Sequence, residues 1–260
     1  MMARMPTPTP NVVLVTGAAR RIGRAIALDL ARHGWAVAIH YHTHEDEARD
    51  TAAEARGLGA RAEIFRADLS REEETSTLVG RAAESFGPLT ALINNAAAFE
   101  RDRVDSVTRS SWDLHLETNL RAPFVLSQEF ARRLPAGESG NIVNLIDQRV
   151  WNLTPDFISY TVSKSALWTL TRTLALALAP RIRVNAIGPG PVLKSTRQSE
   201  EDFARQCAAT PLGRGTRPEE ICDAIRFLFG APAMTGQMLV LDGGQHLGWA
   251  HPGKQSQPRE

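Results

Sequence analysis

The 260-residue sequence is short of cysteine, of long apolar runs and of net charge. Its two cysteines, Cys207 and Cys222, make neither a disulfide framework nor a paired metal motif, so a reducing cytoplasm is the simplest setting. No apolar run approaches the roughly 18 residues that a membrane span requires. The opening M-M-A-R-M-P-T-P-T-P lacks the apolar centre of a signal peptide, and its prolines suggest a flexible, extended arm over residues 1–10. The polar tail, residues 249–260, is expected to fray. A formal charge of +1 with no long basic block gives nucleic acid and membrane surfaces little to hold. What is left is an ordinary soluble composition, 43% hydrophobic and 23% charged.

Against those absences stands a regular alternation. Val12-Val13-Leu14-Val15-Thr16 reads as a buried strand, and Arg24 to His33 as a helix stopped by Gly34. Strands follow at Ala36 to Tyr41, Ala62 to Ala67, Leu89 to Ile93, Ile142 to Ile146, Ile182 to Ile187 and Met238 to Leu241. Helices are expected at Glu45 to Gly57, Glu72 to Phe86, about Ser110 to Phe130, around Tyr160 and Lys164, and at Glu219 to Gly230. Lys194 to Arg214 reads as a helical excursion over the site. This order implies an α/β fold, one Rossmann-type doubly wound parallel sheet of about seven strands with helices on both faces. With no linker-like break, residues 11–248 are expected to form a single domain.

Two stretches carry chemistry. Tyr160 and Lys164 lie four apart, which on a helix places both side chains on one face. An ammonium near a phenol favours the phenolate and lowers the tyrosine pKa from about 10, so that it can donate a proton near neutral pH. The same spacing also fits a half-buried tyrosine beside a solvated lysine. Asp147 closes an apolar run and so stands at a strand's carboxyl end, where open α/β sheets bind ligands. The plainer alternatives are that it caps the strand or pairs with Arg149.

The second stretch is the first strand-turn-helix, where a dinucleotide pyrophosphate would meet a helix N-terminus. Gly17 permits a tight turn, and Gly23 lets helix and strand pack closely. No carboxylate precedes Glu45 at the end of the second strand, whereas an NAD site places one there for the ribose 2′-hydroxyl. Arg20 and Arg21 add positive charge, so NADP(H) is favoured; a solvated first helical turn also accounts for them. His40, His42 and His44 would share one face of a strand and invite a metal. No nearby cysteine completes a set, and contacts to a phosphate explain the region as well.

The pieces T-G-x-x-x-x-x-G at Thr16 to Gly23, Asp68, N-N-A at Asn94 to Ala96, Asn119 in N-L-R-A-P-F, Y-x-x-x-K at Tyr160 and Lys164, Pro189-Gly190 and a late D-G-G occur in order. With them the chain resembles the short-chain dehydrogenases/reductases over roughly residues 11 to 248. That family usually has glycine where this chain has Arg21, and serine where it has Asp147. Those departures, with H-Y-H at His40 to His42 and Phe99 in N-N-A-A-A-F, are similar to the pteridine and dihydromonapterin reductases. In that subgroup an arginine follows H-Y-H, whereas here Thr43 does, which leaves Arg20, Thr43 and His44 as candidates for the 2′-phosphate.

The resemblance implies a catalytic set of Asn119, Asp147, Tyr160 and Lys164. It implies NADP(H) contacts from Gly17, Arg20, Arg21, Ile22, Gly23, His42, Thr43, His44, Asp68, Leu69, Asn95, Ala96, Tyr160, Lys164, Pro189 and Gly190. Arg21, Phe99, Asp147 and Tyr160 would meet the substrate, with no metal. Phe99 and the nicotinamide would sandwich a flat ring. Tyr160 and Asp147 would share proton delivery, Lys164 would hold the ribose and lower the tyrosine pKa, Asn119 would steady a relay water, and Arg21 would reach the cofactor phosphates and the pterin edge. An ionised aspartate repels a developing alkoxide but accepts N–H bonds from an amino-pterin, which argues against a simple alcohol dehydrogenase. Two other readings stay open: a reductase of another small-molecule carbonyl, and a non-catalytic NADPH-binding regulator. The helices around 110–133 and 157–179 often pair between subunits in this family, so a homotetramer is expected, the second being apolar nearly all round.

Overall fold

The computed structural model describes residues 11–248; the expected arm at 1–10 and tail at 249–260 lie outside the described residues. Seven parallel strands form one sheet in the order β3-β2-β1-β4-β5-β6-β7. They are β1 (Val12–Val15), β2 (Ala36–Tyr41), β3 (Ala62–Arg66), β4 (Ala91–Asn94), β5 (Gly140–Leu145), β6 (Ile182–Pro189) and β7 (Met238–Leu241). The helices are α1 (Arg21–Arg32), α2 (Glu45–Gly57), α3 (Glu72–Phe86), α4 (Arg109–Leu116), α5 (Ala122–Arg133), α6 (Ile158–Leu178), α7 (Glu200–Ala208) and α8 (Pro218–Gly230).

The apolar strands are continuous because helices cover both sheet faces. Side chains alternate along a strand, so Val13 and Val15 join a core with α1, α2 and α8, while Val12 and Leu14 join the opposite core with α3, α5 and α6. Each fully buried leucine or valine adds about 1.5–3 kcal/mol. The order reverses at β1, which lies between β2 and β4, and that reversal opens the crevice where such sheets take ligands.

Three details depart from the sequence reading. The first helix begins at Arg21, three residues earlier than expected. The long helix after β4 is interrupted: residues Glu117–Arg121 form a π-helical turn between α4 and α5, with Asn119 at its centre. The stretch after β6 does contain a helix, α7, but Leu193 to Arg197 before it is irregular.

Candidate active site

At the crevice, Gly17 has φ +62°, and a Cβ on Gly23 would lie 2.2 Å from the Gly17 carbonyl oxygen, so neither position admits a side chain. Helix α1 has no side-chain cap and no acid in its first turn. Its first amides and the positive end of its dipole are thus open to an anion. Thr16, which opens the T-G-x-x-x-x-x-G motif but has no role of its own in the sequence reading, rivets the turn: its Oγ1 accepts from the Asn95 and Ala96 amides at 2.9 and 3.0 Å. Asn95 Nδ2 donates to the Thr16 carbonyl at 2.8 Å, so that side chain holds β1 to the end of β4. Gly190 sits against Asp242, where a Cβ would come within 2.7 Å of the aspartate Cα.

The three histidines separate. His40, 2% exposed, lies within β2; its Nδ1 accepts from the Gly17 amide at 3.0 Å, and its Nε2 meets the Ala67 carbonyl at 3.1 Å. Burial pushes its pKa down to about 4, so it is a neutral clamp on the glycine turn. β2 ends at Tyr41, so His42 and His44 are not on the strand. His42 is half exposed with Nε2 3.7 Å from Asp68, and His44 precedes α2 with its Nδ1 3.0 Å from Thr43 Oγ1. Among the described residues no group of side chains has the form of a metal site. His42, Thr43, His44 and the exposed Arg20 border the same end of the crevice, with Glu45 turned to Arg49. Asp68 accepts from the Ser70 amide and hydroxyl at 2.9 and 2.7 Å, and Leu69 is buried.

Arg21 occupies left-handed backbone, φ +55°, which explains why glycine is usual there. Its guanidinium donates to the carbonyls of Lys194 and Leu193 at 2.9 and 3.0 Å. The expected reach to phosphates and substrate is therefore replaced, in this structure, by a strap to the segment after β6. Arg197 fastens that segment a second time, donating to the Phe99 carbonyl at 2.9 Å and pairing with Glu100.

Helix α6 brings Tyr160 and Lys164 under the end of β5. A buried chain seats it: Asn94 Nδ2 donates to Asn144 Oδ1 at 2.8 Å, and Asn144 Nδ2 to Thr171 Oγ1 at 2.9 Å. Tyr160 Oη donates to Asp147 Oδ2 at 3.0 Å. Asp147 also accepts from the Arg149 amide at 2.8 Å and from its guanidinium at 3.2 Å. Of the plain alternatives for Asp147, the pair with Arg149 is present; in place of a strand cap, its side chain caps the 3-10 turn Gln148–Val150, and it takes the tyrosine contact as well. The expected lowering of the tyrosine pKa is overturned. Burial first, then the Asp147 carboxylate, raises Tyr160 well above 10. The reason is geometric: Lys164 Nζ donates to the Leu145 carbonyl at 2.7 Å and lies 5.8 Å from the tyrosine ring centre. Burial lowers Lys164 itself to about 8, against the pull of Asp147.

The side chain of Asn119 is fully buried, with both amide hydrogens and one lone pair of Oδ1 in use. It accepts from the Ala98 amide at 2.8 Å and donates to the Ala98 carbonyl and to Ser163 Oγ, both at 3.0 Å. It holds the strand-β4 exit and α6 together. Phe99 stacks on Phe157, centres 4.5 Å apart and planes 4° apart, and meets Tyr160 edge-on at 4.7 Å. A proton-bearing phenol, a carboxylate and an aromatic face converge here. Phe157 was not legible as a partner because it comes from a different loop.

A family model for enoyl-(acyl carrier protein) reductases matches residues 17–246. A short-chain type dehydrogenase/reductase of Picea abies is 31% identical over 90% of the chain and 92% of its own length. A probable 2,4-dienoyl-CoA reductase of Bacillus subtilis is 31% identical over 93% of the chain and 98% of its own. Among solved structures, FolM alternative dihydrofolate reductase 1 from Brucella suis, in complex with NADP, is 48% identical with a TM-score of 0.90, covering 95% of this chain and 99% of its own. A blue fluorescent protein from a metagenomic library, in complex with NADPH, is 30% identical with a TM-score of 0.84, covering 90% and 97%.

Proposed function

This chain belongs to the short-chain dehydrogenase/reductase family, and on that premise we propose that it is an NADPH-dependent reductase of a pterin or dihydropterin. One observation carries the reading: the Tyr160 hydroxyl is bonded to Asp147, and Phe99 stands edge-on to the same tyrosine. A flat nitrogen heterocycle needs all three, a ring face, an acceptor for N–H groups and a proton source. The 48% identity to a dihydrofolate reductase crystallised with NADP supports it.

The Gly17–Gly23 turn and the uncapped start of α1 fit a pyrophosphate, and Arg20, His42, Thr43 and His44 would take a 2′-phosphate. Asp68, Leu69, Asn95 and Ala96 border the adenosine side through backbone and packing, and Pro189 and Gly190 the nicotinamide side. The bound nucleotide supplies the hydride. Tyr160 holds the proton, kept on its oxygen by burial and by Asp147, and gives it to a substrate nitrogen; Asp147 accepts an amino N–H and orients a solvent water that returns the proton to the tyrosine. An ammonium has three donors and Leu145 takes one, so Lys164 has two left for ribose hydroxyls. Asn119 acts by fixing Ala98 and hence Phe99. Arg21 serves the nucleotide end when its strap to Leu193 and Lys194 opens.

NADPH oxidation measured against a panel of pterins and folates tests this; no turnover of any pterin would sink it. A second reading is a short-chain reductase acting on a carbonyl of another small molecule; the dienoyl-CoA reductase among the relatives supports a non-pterin substrate, and ketone activity that survives Asp147→Ser would favour the carbonyl. A non-catalytic role as an NADPH-binding regulator would gain if Tyr160→Phe left every cellular effect intact. We place the enzyme in the cytoplasm, as a homotetramer built on the helices around 110–133, α4 and α5, and on α6.

A further inference from the structure

Three buried polar side chains that the proposed chemistry leaves unused, Asp102, His115 and Ser159, are bonded to one another beside the loop that carries Phe99. The Glu100 amide donates to His115 Nε2 at 2.9 Å. That fixes the imidazole proton on Nδ1, which points 2.7 Å to Ser159 Oγ. The Ser159 hydroxyl then donates to Asp102 Oδ2 in a short contact, and the Ser159 amide donates to Asp102 Oδ1 at 3.3 Å. Asp102, His115 and Ser159 are 2%, 0% and 0% exposed. With the Glu100 amide as donor, the chain runs from that amide to the carboxylate, and the Ser111 carbonyl one turn back on α4 offers the imidazole proton a further acceptor.

Its two ends hold the two aromatic rings. Glu100 follows Phe99, and the Asp102 carbonyl accepts from the Phe157 amide at 2.8 Å. Phe157 has φ +61°, left-handed backbone that is a true outlier for so bulky a residue, and no side chain of its own caps α6. Asp102, from a distant loop, supplies that cap, and the strain persists because the surroundings over-determine it.

We propose that Asp102, Ser159 and His115 are positioning residues that set the Phe99–Phe157 ring pair beside Tyr160 and so define the slot for a flat substrate. The role in substrate binding rests on the reading that a pterin stacks at Phe99. None of the three touches substrate or cofactor.

Two substitutions test it. Ser159→Ala cuts the chain at its middle. Asp102→Asn is isosteric, yet either orientation of the amide sets two donors face to face, at the Ser159 amide or, through a reversed imidazole, at the Glu100 amide. In both variants the pterin KM is expected to rise about tenfold, below the roughly 10²-fold that a misplacement of an ångström can cost, while kcat changes less than about threefold and NADPH KM less than about twofold. An unchanged pterin KM in a folded variant overturns the proposal; if Asp102→Asn does not fold, Ser159→Ala carries the test. If the wild-type protein turns over no pterin, the functional reading fails on its own. Hydrogen exchange of amides 97–103 then decides the positioning role without any substrate: faster exchange in Ser159→Ala supports it, and wild-type protection overturns it.

Discussion

At the scale of single residues, the site's tyrosine carries its proton under load. Tyr160 is buried, faces a carboxylate and is raised well above 10, so its hydroxyl is neutral throughout the physiological range. Tyr160→Phe should lower kcat by about 10²- to 10⁴-fold, the usual worth of a positioned proton donor, with NADPH affinity kept. Stopped-flow turnover and NADPH titration check this. Arg21 shows the opposite economy. Left-handed backbone costs a non-glycine residue about 1–2 kcal/mol, and the guanidinium's two carbonyl contacts to the segment after β6 offset part of that. His40 makes a pH prediction. Its folded pKa of about 4 lies below the unfolded 6.5, so the native state binds fewer protons between those values. Its contribution is complete above pH 6.5 and falls as pH drops toward 4, by about 3 kcal/mol for the shift of 2.5 units (6.5 − 4). Urea midpoints against pH should be flatter for His40→Gln than for wild type; parallel curves would refute the assignment.

At the scale of elements, the π turn at Glu117–Arg121 matters most. An uninterrupted helix would rotate residue 119 differently against α6; the extra residue in the turn delivers Asn119 to Ala98 and Ser163. Asn119→Ala leaves the half-buried Ala98 amide and carbonyl without this partner. The expected cost is about 2–4 kcal/mol in urea denaturation, with a fall in kcat as the Phe99 loop loosens. A loss below 1 kcal/mol would mean that the loop is held by other contacts. No hydrophobic period announces such a turn, since α4 and α5 read as one amphipathic run.

At the scale of the molecule, α5 and α6 present an apolar groove of about 320 Å³ lined by Phe124, Ala131, Leu174 and Leu178 among others. Leu176, on α6, is 84% exposed. Leu176 lies on another side of α6 from Leu174 and Leu178, and both apolar surfaces suit burial by another subunit. Light scattering should give a tetramer mass for the wild type and a smaller species for Leu176→Glu; a wild-type monomer would refute the assembly. No described helix is long and apolar enough to cross a membrane.

The amino-acid sequence by itself determined the alternation of strand and helix, because covered parallel strands must be apolar throughout and their connecting helices must be amphipathic. It also offered candidates for the chemistry, Asp147, Tyr160 and Lys164 by residue type and position and Phe99 through the family resemblance. What the tertiary structure alone decided is how those groups bear on one another. Only the fold sets Asp147, and not Lys164, against the Tyr160 hydroxyl, so the sign of the tyrosine shift could not be taken from a four-residue spacing. Only the fold brings Asp102 and His115 to Ser159, and Phe157 to Phe99, from positions 44 to 58 residues apart in the sequence. Periodicity reports which face a side chain takes, a local property. Electrostatic shifts and hydrogen-bond direction depend on distance through space, which the chain sets only once the sheet has closed around its switch point.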